Sequence, residues 1–337
     1  MQLDGSISDI PGIKIGHAQD FKALTGCTVV LCEEGAVAGV DQRGGAPGTR
    51  ETDLLRPMHM VEKVHGVLLS GGSAFGLDAA SGVVRYLEEK GIGVDVGLAK
   101  VPIVPGAILF DLDIGRSDIR PDAEMGYQAC ENATNQEHLQ GNVGSGTGAR
   151  LGSILGVNQA MKSGIGTCSM DLGDGVLIAS IMVVNSFGDV VDPHSNCIIA
   201  GARAMTQDPL DIGEAGYFAN TLELMKSPLG KMIFEQISQA NTVIGVVATN
   251  AFLTKEQANK VAQMAQDGVA RVIRPAHTML DGDTIFALST GDKNLDFNIV
   301  GAYAAEVVVS AIINAVQTAE PTGGLPSASG GSSRNRI

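Results

Sequence analysis

The chain has 337 residues, a formal net charge of −14, 44% apolar residues, 44 glycines and no tryptophan. That length and apolar fraction support a large buried core, and so many small residues favour closely packed layers over disorder. The acidic balance argues against nucleic acid or an anionic membrane as partner, and five scattered cysteines, none in a CxxC pair, suit reduced thiols in the cytoplasm.

Residues 1–24 are mixed in character, with neither a basic leader nor an apolar run of signal length. No stretch reaches the roughly 18 apolar residues that a membrane span needs. Cys27–Cys32 reads as a strand and Ala36–Asp41 as its hairpin partner, with Glu34 and Gly35 at the turn. Arg43–Thr52 is a glycine-rich loop. Gly66–Leu69 is a strand that runs through Ser70–Gly76 into a helix carrying Leu77, Ala80, Val84 and Leu87 at helical spacing. A strand, glycine turn and helix invite a phosphate site or a nucleophile elbow at Ser73. Neither the GxxxxGK[ST] nor the GxSxG pattern is complete, however, and a plain tight connection lining a cleft is the favoured reading.

Pro105–Asp111 is a short strand, and Asp122–Cys130 a helix with Pro121 at its start. Gly141–Gly148 is a second glycine-rich loop, without the preceding strand and acidic partner of a nucleotide site. Gly175–Asn185 is the longest strand candidate and ends at a turn, Ser186–Asp189. Residues 203–230 are polar and irregular. Thr242–Asn250, rich in β-branched residues, is a strand. Thr254 and Gln257 form a capping box for a helix over 255–272, closed by Pro275. Thr284–Leu288 is a strand, 295–318 a long apolar helix, and 321–337 a disordered tail. Strands and helices without a regular βαβ beat predict one α+β, layered domain over residues 1–320.

Chemistry concentrates at Asn241-Thr242. A threonine opening a buried strand carries, if the bond before it is cut, both a hydroxyl nucleophile and an α-amine that titrates near 8. The chain contains a second such pair, Asn220-Thr221, which leads into Leu222–Met225 instead of a strand. Downstream, Asp281 and Asp283 flank Gly282 at the mouth of a strand. Two carboxylates so spaced can orient an ammonium or hydroxyl; Asp-Gly is equally a hairpin turn signal. His277 is the lone local addition to a metal set, so no metal is expected.

Seven stretches in order resemble the DmpA-type L-aminopeptidase/D-esterases, a family that includes β-aminopeptidases and nylon-oligomer hydrolases: Thr25–Leu31, Gly39–Glu51, Leu69–Leu77, Gly141–Ala149, Val183–Val190, Ala240–Ile244 and His277–Thr284. The resemblance implies an N-terminal-nucleophile-like αββα sandwich. It further implies autocleavage into 1–241 and 242–337, and assembly of the αβ units into homo-oligomers, most often tetramers. It makes Thr242 the nucleophile, Asn241 the residue released from it, Asn185 an oxyanion-side group, and Asp281 and Asp283 the acidic pair that orients the nucleophile. Phe110 stands where nylon-oligomer hydrolases have an active-site tyrosine, and Ser153 where they have a lysine. Phe110, Ser73 and Ser153 are candidate substrate contacts, and Arg150 and Lys162 candidate replacements for the missing lysine. The implied activity is hydrolysis of short linear amides without metal or organic cofactor. Two alternatives remain: a serine esterase working through Ser73, and a non-processing binding protein of the same fold.

Overall fold

The computed structural model describes residues 4–204, 217–236 and 241–329. Among these, nine strands make one sheet: β1 (Lys14–Asp20), β2 (Thr25–Gln42), β3 (Thr49–Arg50), β4 (Lys63–Ser70), β5 (Gly106–Ile108), β6 (Ile165–Asp171), β7 (Leu177–Asn185), β8 (Thr242–Ala251) and β9 (Thr284–Lys293). The order across the sheet is β6-β7-β8-β9-β2-β4-β5-β3, with β1 also pairing β2. The helices are α1 (Ala79–Glu89), α2 (Ala123–Glu131), α3 (Thr221–Lys226), α4 (Pro228–Gln236), α5 (Lys255–Val272) and α6 (Phe297–Gln317).

The expected hairpin over 27–41 is instead the single strand β2. Gly35, at φ 81°, and a register shift between Leu31 and Ala36 bend the strand without reversing it. Its first half pairs β1 and its second half β9, so the two halves of β2 belong to two lobes of the sheet. Alternation then sorts the side chains. Val30, Cys32, Ala36 and Ala38 share one core with Leu69 and Ala107 from one lobe and with Ile181, Ile244 and Phe286 from the other. Val29, Leu31 and Leu68 face Ala80, Val83 and Ala129 of α1 and α2. Met182, Val243, Val247 and Ile285 face Val261, Ala265, Val308 and Ile312 of α5 and α6. The result is the expected αββα layering, reached by folding a continuous sheet over itself. The layers press close: a Cβ on Gly39 of β2 would lie 2.2 Å from the backbone nitrogen of Asn259 in α5.

Several elements depart from the sequence reading. β1 and β6 were not foreseen, because Gly16, Gly166 and the small polar residues around them mask the strand pattern. The irregular stretch 203–230 contains α3 and the start of α4. Of the tail expected to be disordered, 321–329 is ordered and 330–337 lies outside the described residues. Gly323 and Gly324 turn through positive φ, Leu325 is buried against Leu24 and Ile114, and the Pro326 carbonyl accepts the Lys162 N–H at 2.7 Å. α6 is long and apolar enough to cross a membrane, but 72% of its most apolar window is buried inside the fold.

Candidate active site

β7 and β8 run antiparallel with Asn185 directly opposite Thr242. β9 runs parallel to β8, and the segment entering it lies alongside Asn241, with Asn241 bridged to Asp281. Asp281-Gly282 is therefore not a hairpin tip. The Asn241 N–H donates to the Leu280 carbonyl at 2.7 Å, and the Gly282 N–H donates to the Asn241 carbonyl at 2.8 Å. The Thr242 hydroxyl donates to that same carbonyl oxygen. Asn241 and Thr242 are both buried. The carbonyl oxygen of the 241–242 bond thus accepts from two donors, the hydroxyl of the residue that follows it and a backbone N–H from the neighbouring segment.

Each carboxylate of the acidic pair accepts backbone N–H groups, Asp283 from beside Thr242 and Asp281 from its own turn. Asp283 accepts the Val243 N–H at 2.7 Å with one oxygen; the other accepts the His277 N–H at 3.1 Å and meets His277 Nδ1 at 2.7 Å. His277 reaches this position through left-handed backbone, φ 59°. Asp281 accepts the Thr278 N–H at 2.8 Å and hydroxyl at 2.6 Å. Burial, and next the neighbouring Asp283, push the Asp281 carboxyl up to about 6, while the Thr278 bonds pull it down. The Thr242 hydroxyl bonds to the Asn241 carbonyl, not to either carboxylate. In the intact chain Asp283 holds the strand beside Thr242 through the Val243 N–H, Asp281 closes the turn at Thr278, and neither carboxylate bonds the Thr242 hydroxyl.

The first glycine-rich loop clasps this segment. Arg43, Gly45 and Ala46 N–H groups donate to the carbonyls of Asp283, Thr278 and Asp281 at 2.8, 3.1 and 3.0 Å. Gly44 sits at φ 86°, where a Cβ would come within 2.3 Å of the Asp281 carbonyl oxygen. The glycines therefore serve to place the Gly282 donor. Sequence reading singled out the two aspartates and passed over the glycine between them, together with Leu280 and Thr278. A Thr-x-x-Asp pattern at 278–281 was the available signal, since such pairs close a local turn.

Asn185, fully buried, accepts the Arg150 N–H at 3.1 Å and donates to the Phe110 carbonyl at 3.1 Å. A primary amide has two N–H donors, and the Phe110 carbonyl takes one of them. The structure brings the Phe110 backbone, Asn185 and Thr242 together. Ser153, buried, donates its hydroxyl to Asn241 Oδ1 at 2.8 Å. Ser73 stands at φ 55° with its N–H on the Leu109 carbonyl at 2.9 Å, one residue from Phe110. Among the described residues its hydroxyl meets no histidine or carboxylate that could serve as base. The two candidate replacement cations have other work. The Arg150 guanidinium pairs with Asp113. The buried Lys162 ammonium donates to the Gly146 and Ala149 carbonyls, each at 2.9 Å, and to Ser163. Burial pulls Lys162 down to about 7, while three carbonyls match the three N–H donors of its charged form. It fastens the second glycine-rich loop.

The model of peptidase family S58 matches residues 5–328. The chain belongs to peptidase family S58. Among S58 relatives, an uncharacterized aminopeptidase of Mycobacterium leprae is 43% identical, covering 95% of this chain and 92% of the relative. A 6-aminohexanoate-oligomer endohydrolase of Kocuria sp. is 29% identical, covering 92% and 85%. The L-aminopeptidase D-Ala-esterase/amidase of Ochrobactrum anthropi, an Ntn-hydrolase fold, superposes with a TM-score of 0.69 at 18% identity over 95% of this chain and 88% of that one. A Burkholderia sp. β-aminopeptidase gives 0.65 at 20%, over 93% and 87%. The resemblance to the DmpA-type enzymes and the fold inferred from it both hold, and this S58 chain is a hydrolase of amide or peptide bonds.

Proposed function

We propose that the chain matures by cutting its own 241–242 bond and then hydrolyses short linear amides through the freed Thr242. The observation that carries this reading is the double hold on the Asn241 carbonyl, by the Thr242 hydroxyl and by the Gly282 N–H. In maturation Thr242 Oγ adds to the Asn241 carbonyl carbon. The hydroxyl proton passes to the Thr242 nitrogen as the C–N bond breaks, leaving an ester. Water hydrolyses the ester and releases the Asn241 carboxylate and the α-amine. In turnover Oγ attacks a substrate amide and the α-amine takes its proton, then delivers it to the leaving amine; water resolves the acyl-enzyme. The oxyanion is held by the Gly282 N–H and the second Asn185 amide proton.

The chain itself supplies nucleophile, base and oxyanion donors, and the reading assigns the reaction no cofactor. Its substrates are small peptides, amino-acid amides or 6-aminohexanoate oligomers, the chemistry named for its relatives. We further propose a cytoplasmic location and a tetramer of αβ units; size-exclusion chromatography with light scattering checks the tetramer. Neither alternative is favoured by a specific observation. Mass spectrometry and a denaturing gel of the purified protein test the proposal. Fragments of 241 and 96 residues, roughly 25 and 10 kDa by dividing the mass in proportion to length, are expected. A single intact chain after long incubation overturns it.

A further inference from the structure

The ester formed in self-cleavage is an acyl group on Thr242 Oγ, and so is the intermediate of turnover. If the two share one oxyanion donor, Gly282, the acyl groups share one place. In the intact chain that place is filled by Asn241, and its contacts are specific. The residue's N–H donates to the Leu280 carbonyl at 2.7 Å, its carbonyl accepts from Gly282 at 2.8 Å, and its side-chain oxygen accepts from the Ser153 hydroxyl at 2.8 Å. Asn241 is fully buried and Ser153 nearly so.

We propose that the seat of Asn241 is the acyl-side subsite of the mature enzyme. There the Leu280 carbonyl receives the substrate's α-amine, and Ser153 selects acyl residues with a short, neutral, acceptor-bearing side chain, asparaginyl amides above all. The inference rests on the self-cleavage reading and narrows its substrate class. Ser153 is the specificity-determining residue. A hydroxyl buried at the subsite loses its partner when an apolar side chain enters, and a site built around a hydrogen bond rejects the analogue that lacks it. The substrate ammonium replaces a backbone N–H on the same carbonyl, and a charged donor makes the stronger hydrogen bond there. The reacting bonds are those of the turnover step: Oγ–C forms, C–N breaks, and the proton leaves with the amine.

The experiment uses the mature wild-type enzyme with the p-nitroanilides of L-asparagine, L-alanine and L-leucine. Asparaginyl anilide is expected to exceed leucyl anilide in kcat/KM by about tenfold, the cost of stranding a buried hydroxyl. Ser153→Ala should lower the asparaginyl-to-alanyl ratio about fivefold, and Ser153→Thr, which keeps the hydroxyl, should restore it. Free L-asparagine should inhibit alanyl anilide hydrolysis by the wild type more tightly than L-leucine does, a readout that needs no variant. Each preparation is first run on a denaturing gel. A cut, active enzyme that shows no asparaginyl preference, or an unmoved ratio in Ser153→Ala, overturns the subsite and leaves the amide hydrolase standing. An uncut chain inert on all three anilides overturns both.

Discussion

The chain carries the dipeptide Asn-Thr at 220–221 and again at 241–242, and the fold uses the two copies in opposite ways. At the first, Asn220 stands at φ 55° and its side chain caps α3. Thr221 is buried, with its N–H and hydroxyl both donated to the Asp189 carboxylate at 2.6 and 2.8 Å. At the second, the Thr242 hydroxyl turns back onto the carbonyl that precedes it, and a Gly282 N–H holds that carbonyl from outside. A threonine hydroxyl committed to a buried carboxylate is a structural tie. The same hydroxyl set against a carbonyl held by a second donor is the arrangement on which the proposed self-cleavage rests. The difference lies in what each copy's neighbours present, not in the dipeptide.

Several variants break or sharpen this contrast. Thr242→Ala removes the proposed nucleophile, and we expect the proposed self-cleavage and amide hydrolysis to fall by at least about a thousandfold; a gel showing normal fragments from this variant would end the proposal. Asn185→Ala, which removes an oxyanion donor while Gly282 remains, should lower kcat by about a hundredfold, read by steady-state kinetics on any accepted amide.

Asp281→Asn separates charge from shape, because the amide oxygen can still accept from Thr278. The Asp281 carboxyl titrates near 6 in the fold, above its ordinary value, so ionising it opposes folding. The stability it contributes is present below about pH 4 and is lost as pH rises through about 6. The Asn variant should therefore gain on the wild type between pH 4 and pH 8, by at most ~3 kcal/mol for a shift of about two pH units. Denaturant titrations at the two pH values measure the gain, and a constant difference would show that Asp281 is not ionising there. Thr221→Val is the mildest. It strips one hydroxyl donor from buried Asp189 and should cost about 1–2 kcal/mol in stability, with the fragments on the gel unchanged. Loss of cutting in Thr221→Val would mean that the first Asn-Thr is more than a tie.

Much of the fold was legible in the residues. The capping box of Thr254 and Gln257, the run of β-branched residues after Thr242 and the apolar 295–318 stretch each state their local structure, because capping, β-branching and helical spacing are local effects. The hairpin read at 27–41 failed for a tertiary reason. Gly35 permits a turn or a bulge, and the choice fell to the separate strands waiting for each half of β2. At the site, Thr242, Asn185, Asp281 and Asp283 could be picked out by residue type and resemblance. Gly282, Leu280 and the clasp from Arg43 to Ala46 act through backbone groups, which every residue possesses and no side-chain pattern advertises.

The amino-acid sequence by itself determined the elements with strong local signals, such as β8, α5 and α6, and which residues carry a hydroxyl, an amide or a carboxylate able to do chemistry. Tertiary structure alone decided that β2 would join two lobes. It also decided that Asp283 would reach across to the Val243 N–H, and that a glycine donor would be aimed at the Asn241 carbonyl. Those outcomes depend on strands remote in the chain coming into register, and register is fixed because a slip of one residue would turn every side chain to the opposite face of the sheet.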